Sequence, residues 1–465
     1  MVSKIDQTNT SVQYDYCTEG IFEMTDFRAL ADVVAADIRA GRLKPGDRLP
    51  PQREFAFKHG IAASTAGRVY AELVKRGLIA GEVGRGTYVR APLTPTDAAL
   101  AEPASAPVDL EFNFPILPQQ LKRLTEALTR VIRPSMLGEA VKPVGATAAP
   151  EARAIAARFM ARGSWCPDPS GILFAGNGRQ AIAAAMAALA SPGDCVGVEA
   201  ITYPVVKGIA ARLGVRLIPL SMDEDGLLPD AILHAHRATP LAGLYLQPTL
   251  HNPLGTTMSQ SRRRAFAKVL AETGLFAIED GIYSFLADDL PIAALSPDRI
   301  IFIDSFSKRI APGLTLGLLA SPSGIADRIA GALRAGGWSA AGFPLMVGLH
   351  LISDGTADQI GLEKRDDAKL RQKIAREALS GLDVRGDSRA FHLWLELPDW
   401  WRAEAFCASA ARRGVAVAPA SAFTVAPGHS PPAVRIALAS PRHDVLSSAL
   451  YALRQLAEGL PEQVE

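Results

Sequence analysis

The chain is poor in cysteine and aromatic residues, has almost no net charge, and contains no long apolar run. Its four cysteines, Cys17, Cys166, Cys195 and Cys407, are scattered and form no CxxC pair. That spacing argues against a disulfide framework and a zinc site, so no metal is expected and a reducing cytoplasm is the default compartment. No stretch approaches the roughly 18 apolar residues of a membrane helix. The polar run from Ser3 to Tyr14 lacks the charged-then-apolar pattern of a signal peptide. A net charge of +1 over 465 residues gives the whole protein no preference for anions.

What is present is uneven. Residues 24–90 carry 12 Lys+Arg against 7 Asp+Glu, a surplus of five, which leaves −4 for the remainder. A small basic head on a mildly acidic body fits a polyanion-binding module joined to something else. The length predicts two or three domains, and 48% hydrophobic residues with a mean hydropathy of +0.13 can fill large cores. Residues 1–23 read as a flexible arm. Residues 91–110, with four prolines and many alanines, read as a semi-extended linker.

Within 24–90, Phe27, Leu30, Val33, Val34 and Ile38 recur at helical spacing up to Gly41. A second helix is predicted from Gln52 to His59, stopped by Gly60. A third starts near Ile61, with Val69, Leu73 and Val74 inward and Gly77 at its end. Leu78–Ala80 and Thr87–Val89 read as strands joined by the basic turn Gly84-Arg85-Gly86. Three helices and a hairpin make a winged helix-turn-helix. The strings GRLKPGDRLPxxRE (41–54), YAELVKRGLI (70–79) and GRGTYV (84–89) resemble the head of GntR-superfamily transcription regulators. That resemblance implies double-stranded DNA as partner. It puts Arg53 at the start of the second helix on phosphate or base edges, Ser64 and Thr65 at the groove-facing start of the recognition helix, and Arg85 at the wing tip. Guanidinium forks and helix-start hydroxyls suit those contacts. The family often has Ser-Arg where this chain has Ala62-Ala63; Arg68, one turn on, is the candidate replacement.

From about Glu111, strand-like runs alternate with Ala-rich helical runs: 171–175, 179–190, 195–199, 205–213, 243–247, 261–273, 275–279 and 300–304. This pattern predicts an open, mostly parallel α/β sheet with ligands at the carboxyl ends of its strands. The part after about residue 350 reads as a smaller α+β lobe, with strands at 390–396 and 434–439.

The loops at these strand ends carry unusual residues. Gly176-Asn177-Gly178-Arg179 opens a helix, which serves an anion or simply a tight turn. Tyr203 follows a strand and either stacks on a planar ring or packs. Asn252 precedes Pro253 after a strand. Asp280 ends an apolar strand, where burial is costly unless it meets a cation. Lys308 follows the strand 299–303 and the hydroxyls of Ser305 and Ser307. A lysine at such a strand end is a solvated loop residue or, if burial lowers its pKa, a Schiff-base former.

Together, NPLG (252–255), EDxxY (279–283) and SFSKxxxPGLxLG (305–317) resemble the fold-type I pyridoxal 5′-phosphate (PLP) aminotransferases over residues 111–465. By that resemblance Lys308 would form the Schiff base with PLP, and Asp280 would pair with the ring N–H⁺. Asn252 and Tyr283 would bond the ring oxygen, and Tyr203 would stack on the ring. Asn177, Gly178, Arg179, Ser305 and Ser307 would hold the phosphate, and Arg435 would clamp a substrate or effector carboxylate. Where the family usually has a phosphate-binding arginine, this chain has Thr315. The loss weakens cofactor binding by about 1.5–3 kcal/mol unless Arg309 or Arg179 compensates.

The joined head, linker and body resemble the MocR subfamily of bacterial regulators, as do HLWLE (392–396), VAVAP (415–419) and Ser421-Ala422-Phe423. The resemblance implies a homodimeric, cytoplasmic regulator, nucleoid-associated when bound to DNA, whose body binds PLP and senses a small amine, amino acid or B6 vitamer. The alternative is a PLP-dependent aminotransferase with an appended head, because nearly all the catalytic residue types are present.

Overall fold

The computed structural model describes residues 27–39, 42–43, 47–75, 78–82, 86–89, 106–426 and 430–460. The N-terminal arm, the linker up to residue 105 and Arg85 lie outside the described residues. The chain divides into two compact units, 1–94 and 95–465.

The first unit has helices Phe27–Arg39, Gln52–Lys58 and Ala63–Lys75. Arg48–Leu49, Gly86–Val89 and Ile79–Glu82 form a three-stranded antiparallel sheet. Leu30, Val34, Phe55, Val69, Leu73 and Ile79 make its core. Leu30, Ala31, Val34 and Ala35 on the first helix, and Ala66, Val69, Tyr70 and Leu73 on the third, recur at three and four residues, the apolar stripe by which helices pack. Gly60, at φ 64°, ends the second helix in the left-handed region that favours glycine. Val74, expected inward, is 42% exposed. Each helical residue turns about 100° from the last, so burying Leu73 swings Val74 off the stripe. Val33 is exposed for the same reason beside buried Val34.

The second unit is built on a seven-stranded sheet. In spatial order its strands are Ile172–Ala175, Gly317–Ala320, Ile300–Ser305, Ala277–Asp280, Leu241–Leu246, Cys195–Glu199 and Arg216–Leu220. Only Gly317–Ala320 runs antiparallel to its neighbours. Most of these strands are wholly buried and largely apolar, as a sheet covered on both faces requires. Helices Gly178–Leu189, Pro204–Leu213 and Gln260–Thr273 lie close to their predicted ranges. The six strands of common direction bring their carboxyl ends to one edge.

The C-terminal lobe has the antiparallel sheet Asp383–Arg385, His392–Glu396, Ala433–Ala437, Ala418–Pro419. Leu393, Leu395, Phe406, Val434, Ile436 and Leu450 fill its core. Val108–Asp109, at the end of the stretch read as linker, pairs in parallel with Val415–Ala416 of this lobe. Leu110 follows, fully buried, and its carbonyl accepts from the Ala437 amide. A 23-residue helix, Thr356–Ala378, presents Lys364, Arg371 and Gln372 inward. Among the described residues no helix is long and apolar enough to cross a membrane.

Candidate ligand site and nucleic-acid interface

The strand ends surround a cavity of about 350 Å³ lined by Asn177, Gly178, Arg179, Tyr203, Asn252, Asp280, Tyr283, Ser307, Lys308 and Arg435, with Thr315 among them. Ten of the expected ligand residues therefore meet in one place. Ser305 and Arg309 do not line it.

Asp280 is the last residue of its strand and is 3% exposed. Its carboxylate accepts from the Tyr245 hydroxyl at 2.7 Å, the Gln247 amide group at 2.9 Å and the Ile282 backbone N–H at 3.1 Å. Burial raises its pKa and these three bonds oppose the rise. Lys308 stands on the one-turn helix Phe306–Arg309 that follows the strand Ile300–Ser305. Its ammonium donates to the Asn113 carbonyl at 2.5 Å and lies 4.0 Å from the Phe114 ring centroid. Burial, then the positive charges of Arg435, Arg179 and Lys364, pull its pKa down to about 7, against the pull of Asp280. Near neutral pH a large share of this amine is uncharged and nucleophilic.

The hydroxyls form a chain. Ser305 caps the short helix, accepting from the Ser307 amide, and its Oγ is 3.1 Å from Ser307 Oγ. Ser307 Oγ is in turn 2.7 Å from Thr315 Oγ1. Beside them, Asn177 caps Gly178–Leu189, accepting from Gln180 N at 2.9 Å. The helix start, with its unpaired N–H groups, and the exposed Arg179 face the same cavity. Gly317, the last glycine of the lysine-loop string, packs on this turn: a Cβ there would lie 2.4 Å from the Asn177 carbonyl oxygen.

Arg309 turns away from the hydroxyl chain. It donates to Asp358 at 2.7 Å and to the Phe159 carbonyl at 3.0 Å, with its guanidinium 3.8 Å from the Phe159 ring centroid. It is therefore not the substitute for the missing arginine. Consecutive helical residues face different ways, so placing Lys308 in the cavity directs Arg309 into the core. Among the described residues Arg179 is the arginine left at this end of the cavity.

Arg435 is buried on the strand Ala433–Ala437. It donates to Asn252 Oδ1 at 3.3 Å and to the Glu111 carbonyl, while its Nε has no partner. Burial lowers its pKa, and Tyr283 and Glu111 oppose that. Tyr283 accepts from the Asn113 amide at 3.0 Å, and burial raises its pKa. His392 packs on Tyr283 at 5.3 Å; burial pulls its pKa down to about 3, so it is neutral and donates from Nε2 to the His251 carbonyl at 2.9 Å. Tyr203 lines the wall, its pKa raised by burial and eased back by Arg179.

Several contributors escaped the sequence reading. Tyr245 is a lone tyrosine in a buried apolar strand, a signal that was readable. Lys364 is another: it falls on the stripe of Ile360, Gly361 and Ala368, is 0% exposed, and donates to the carbonyls of Lys308 at 2.9 Å and Ile310 at 2.6 Å. Asn113 and Phe114 gave no local sign.

On the first unit, Arg53 and Ser64 are exposed and Thr65 is half-buried, the latter two at the start of Ala63–Lys75. The Arg68 guanidinium lies 4.1 Å from the Phe27 ring centroid, so its side chain also packs on the first helix.

Residues 107–453 match the model of aminotransferase class I and II, and residues 28–89 match that of bacterial regulatory proteins of the gntR family. The HTH-type transcriptional regulator YdeF of Bacillus subtilis is 32% identical over 452 residues, 93% of this chain and 95% of YdeF. The vitamin B6 salvage pathway transcriptional repressor PtsJ of Salmonella typhimurium is 28% identical over 405 residues, 86% of this chain and 91% of PtsJ. The multiple substrate aminotransferase of Thermococcus profundus shares the fold of the second unit, with a TM-score of 0.69 at 20% identity over 78% of this chain and 96% of that one. Head and body together identify the chain as a member of the MocR subfamily of GntR-superfamily transcription regulators, in which a DNA-binding winged helix is joined to an aminotransferase-type domain.

Proposed function

We propose that this regulator binds PLP at Lys308 and responds to a small amine, amino acid or B6 vitamer by changing its hold on DNA. The observation that carries the reading is the pairing of Asp280, a buried carboxylate with no ion-pair partner among the described residues, with Lys308, a half-buried amine near neutrality, in one cavity. A protonated pyridine nitrogen would supply the missing cation. The phosphate end fits as well: Ser307, Thr315, Gly178 and Arg179 present hydroxyls, a helix start and one positive charge. The similarity to PtsJ, a vitamin B6 salvage pathway transcriptional repressor, supports a B6 vitamer as one ligand class for this chain.

When bound, PLP supplies an aldehyde that condenses with amines and a ring that withdraws electrons. The protein's own residues do the rest. Lys308 offers an uncharged amine; Tyr245 and Gln247 hold the Asp280 carboxylate in orientation; Asn252 and Tyr283 present hydrogen-bonding groups at the cavity wall; and Arg435 offers a fork for a carboxylate. The protein acts as a homodimer in the cytoplasm. Arg53, Ser64, Thr65, Arg68 and Arg85 contact DNA.

The test is a spectrophotometric titration of the full chain with PLP beside a DNA-binding assay. Wild type gains the visible absorbance of a lysine-bound cofactor and Lys308→Ala does not. If Lys308→Ala leaves ligand-dependent DNA binding intact, the reading is wrong. Turnover as an aminotransferase is the second reading, favoured by the near-neutral Lys308. Steady conversion of an amino acid and a 2-oxo acid by the purified protein would establish it.

A further inference from the structure

Two of the cavity's strongest donors are already engaged, and by one short segment. Lys308 donates to the Asn113 carbonyl at 2.5 Å, and Arg435 donates to the Glu111 carbonyl. Between those carbonyls lies one residue, Phe112. The same segment places the Asn113 amide on the Tyr283 hydroxyl at 3.0 Å and the Phe114 ring 4.0 Å from the lysine nitrogen. Asn113 is 4% exposed, lines the cavity, and its Oδ1 has no partner. A buried carbonyl oxygen left in that state costs free energy.

The segment is held from outside the cavity. Asp109 Oδ1 accepts from the amides of Glu111 at 2.8 Å and Phe112 at 3.0 Å. The exposed Ser440 donates to the Phe112 carbonyl at 2.8 Å. Upstream, Val108–Asp109 is a strand of the C-terminal lobe, and the chain leading to it comes from the winged-helix unit.

We propose that Glu111–Phe114 is an internal competitor for the ligand site, and that the effector is therefore a carboxylate-bearing amine. Resting on the reading that PLP engages Lys308, the argument is one of exchange. With Lys308 engaged by bound PLP, its bond to the Asn113 carbonyl would be lost while Arg435 would still hold Glu111. Only a carboxylate, a two-oxygen acceptor that matches the guanidinium fork, displaces the single carbonyl there. With both carbonyls released, the segment has lost its two charged partners and leaves the cavity. A ligand lacking the carboxylate opens one hold and leaves the other closed. A ligand of the right class changes the path of chain that runs toward the DNA-binding unit, and one of the wrong class does not.

The experiment uses the full-length, PLP-loaded protein and follows backbone hydrogen exchange over residues 106–117. The probes are protein L-amino acids, each paired with the amine that remains after its carboxylate is removed. The expected result is that at least one amino acid speeds exchange in this segment while its paired amine does not. Equal acceleration by the paired amine, or no acceleration by any amino acid, overturns the proposal. The double variant Asp109→Ala/Ser440→Ala loosens the segment from outside the site. It should bind that amino acid about three- to tenfold more tightly, as expected for the loss of competing hydrogen bonds. Unchanged or weaker binding overturns the proposal. Absence of the visible lysine-bound absorbance in wild type overturns the PLP reading together with this one. Its presence, with exchange unchanged, overturns this one alone.

Discussion

Thr315→Arg tests where a phosphate sits. Thr315 is half-buried, lines the cavity and bonds Ser307 Oγ at 2.7 Å. With Arg309 turned to Asp358, Arg179 is the one arginine at this end of the cavity among the described residues. A new guanidinium against a phosphate adds a charge-assisted hydrogen bond of about 1.5–3 kcal/mol. Two costs oppose it: the lost Ser307–Thr315 bond, about 0.5–1.5 kcal/mol, and ordering a long side chain, up to about 2 kcal/mol. With the phosphate bond near the top of its range and about half of the ordering cost, the net gain is about 1 kcal/mol, roughly fivefold tighter binding of PLP. The assay is a titration followed by visible absorbance, run with PLP and with pyridoxal, which lacks the phosphate. Thr315→Arg should tighten PLP and leave pyridoxal unchanged, so that the ratio of the two dissociation constants rises. Thr315→Val, which breaks the hydroxyl chain, should move the ratio the other way. An equal change for both ligands refutes the reasoning, because the phosphate would then lie away from Ser307 and Thr315.

Two further predictions concern stability and DNA. Lys364 is fully buried and its pKa is pulled from 10.5 to about 7 by desolvation. Between those values the unfolded chain binds more protons than the folded one. Stability attributable to Lys364 therefore rises with pH across that window, and the cost of burying the charge is fully present below about pH 7. Lys364→Met removes the pH-dependent part, so the stability of wild type relative to the variant should grow from pH 7 toward pH 10. The limit is about 5 kcal/mol, at about 1.4 kcal/mol per pKa unit. Urea unfolding at both pH values measures it, and a gap that stays constant contradicts the account. In the winged-helix unit, Arg53→Ala should weaken DNA binding and flatten its salt dependence by about one charge without moving the unfolding midpoint. Arg68→Ala should also lower that midpoint, because it removes the side chain packed on Phe27. Identical behaviour of the two variants would count against the packing role.

The sequence by itself determined the two-module plan, the parallel sheet and most of the polar residues that line the cavity. Those features are written locally: glycines at strand-to-helix turns, a carboxylate closing an apolar strand, a lysine just past another, and apolar stripes three and four residues apart. Strand ends in a parallel sheet must converge on one edge, so naming the loops was enough to locate the cavity. Tertiary structure decided what depends on direction and on distant partners. Arg309 sits next to Lys308 in sequence yet points into the core, and Val74 leaves the stripe that Leu73 occupies, because a helix turns between consecutive residues. Lys364 and Tyr245 interrupt otherwise apolar patterns, but only the fold showed that they face the turn of Lys308 and the carboxylate of Asp280. The segment Glu111–Phe114 reaches Lys308 across 195 residues and Arg435 across 324. Backbone carbonyls make those two contacts, and since every residue carries a carbonyl, no residue type announces them.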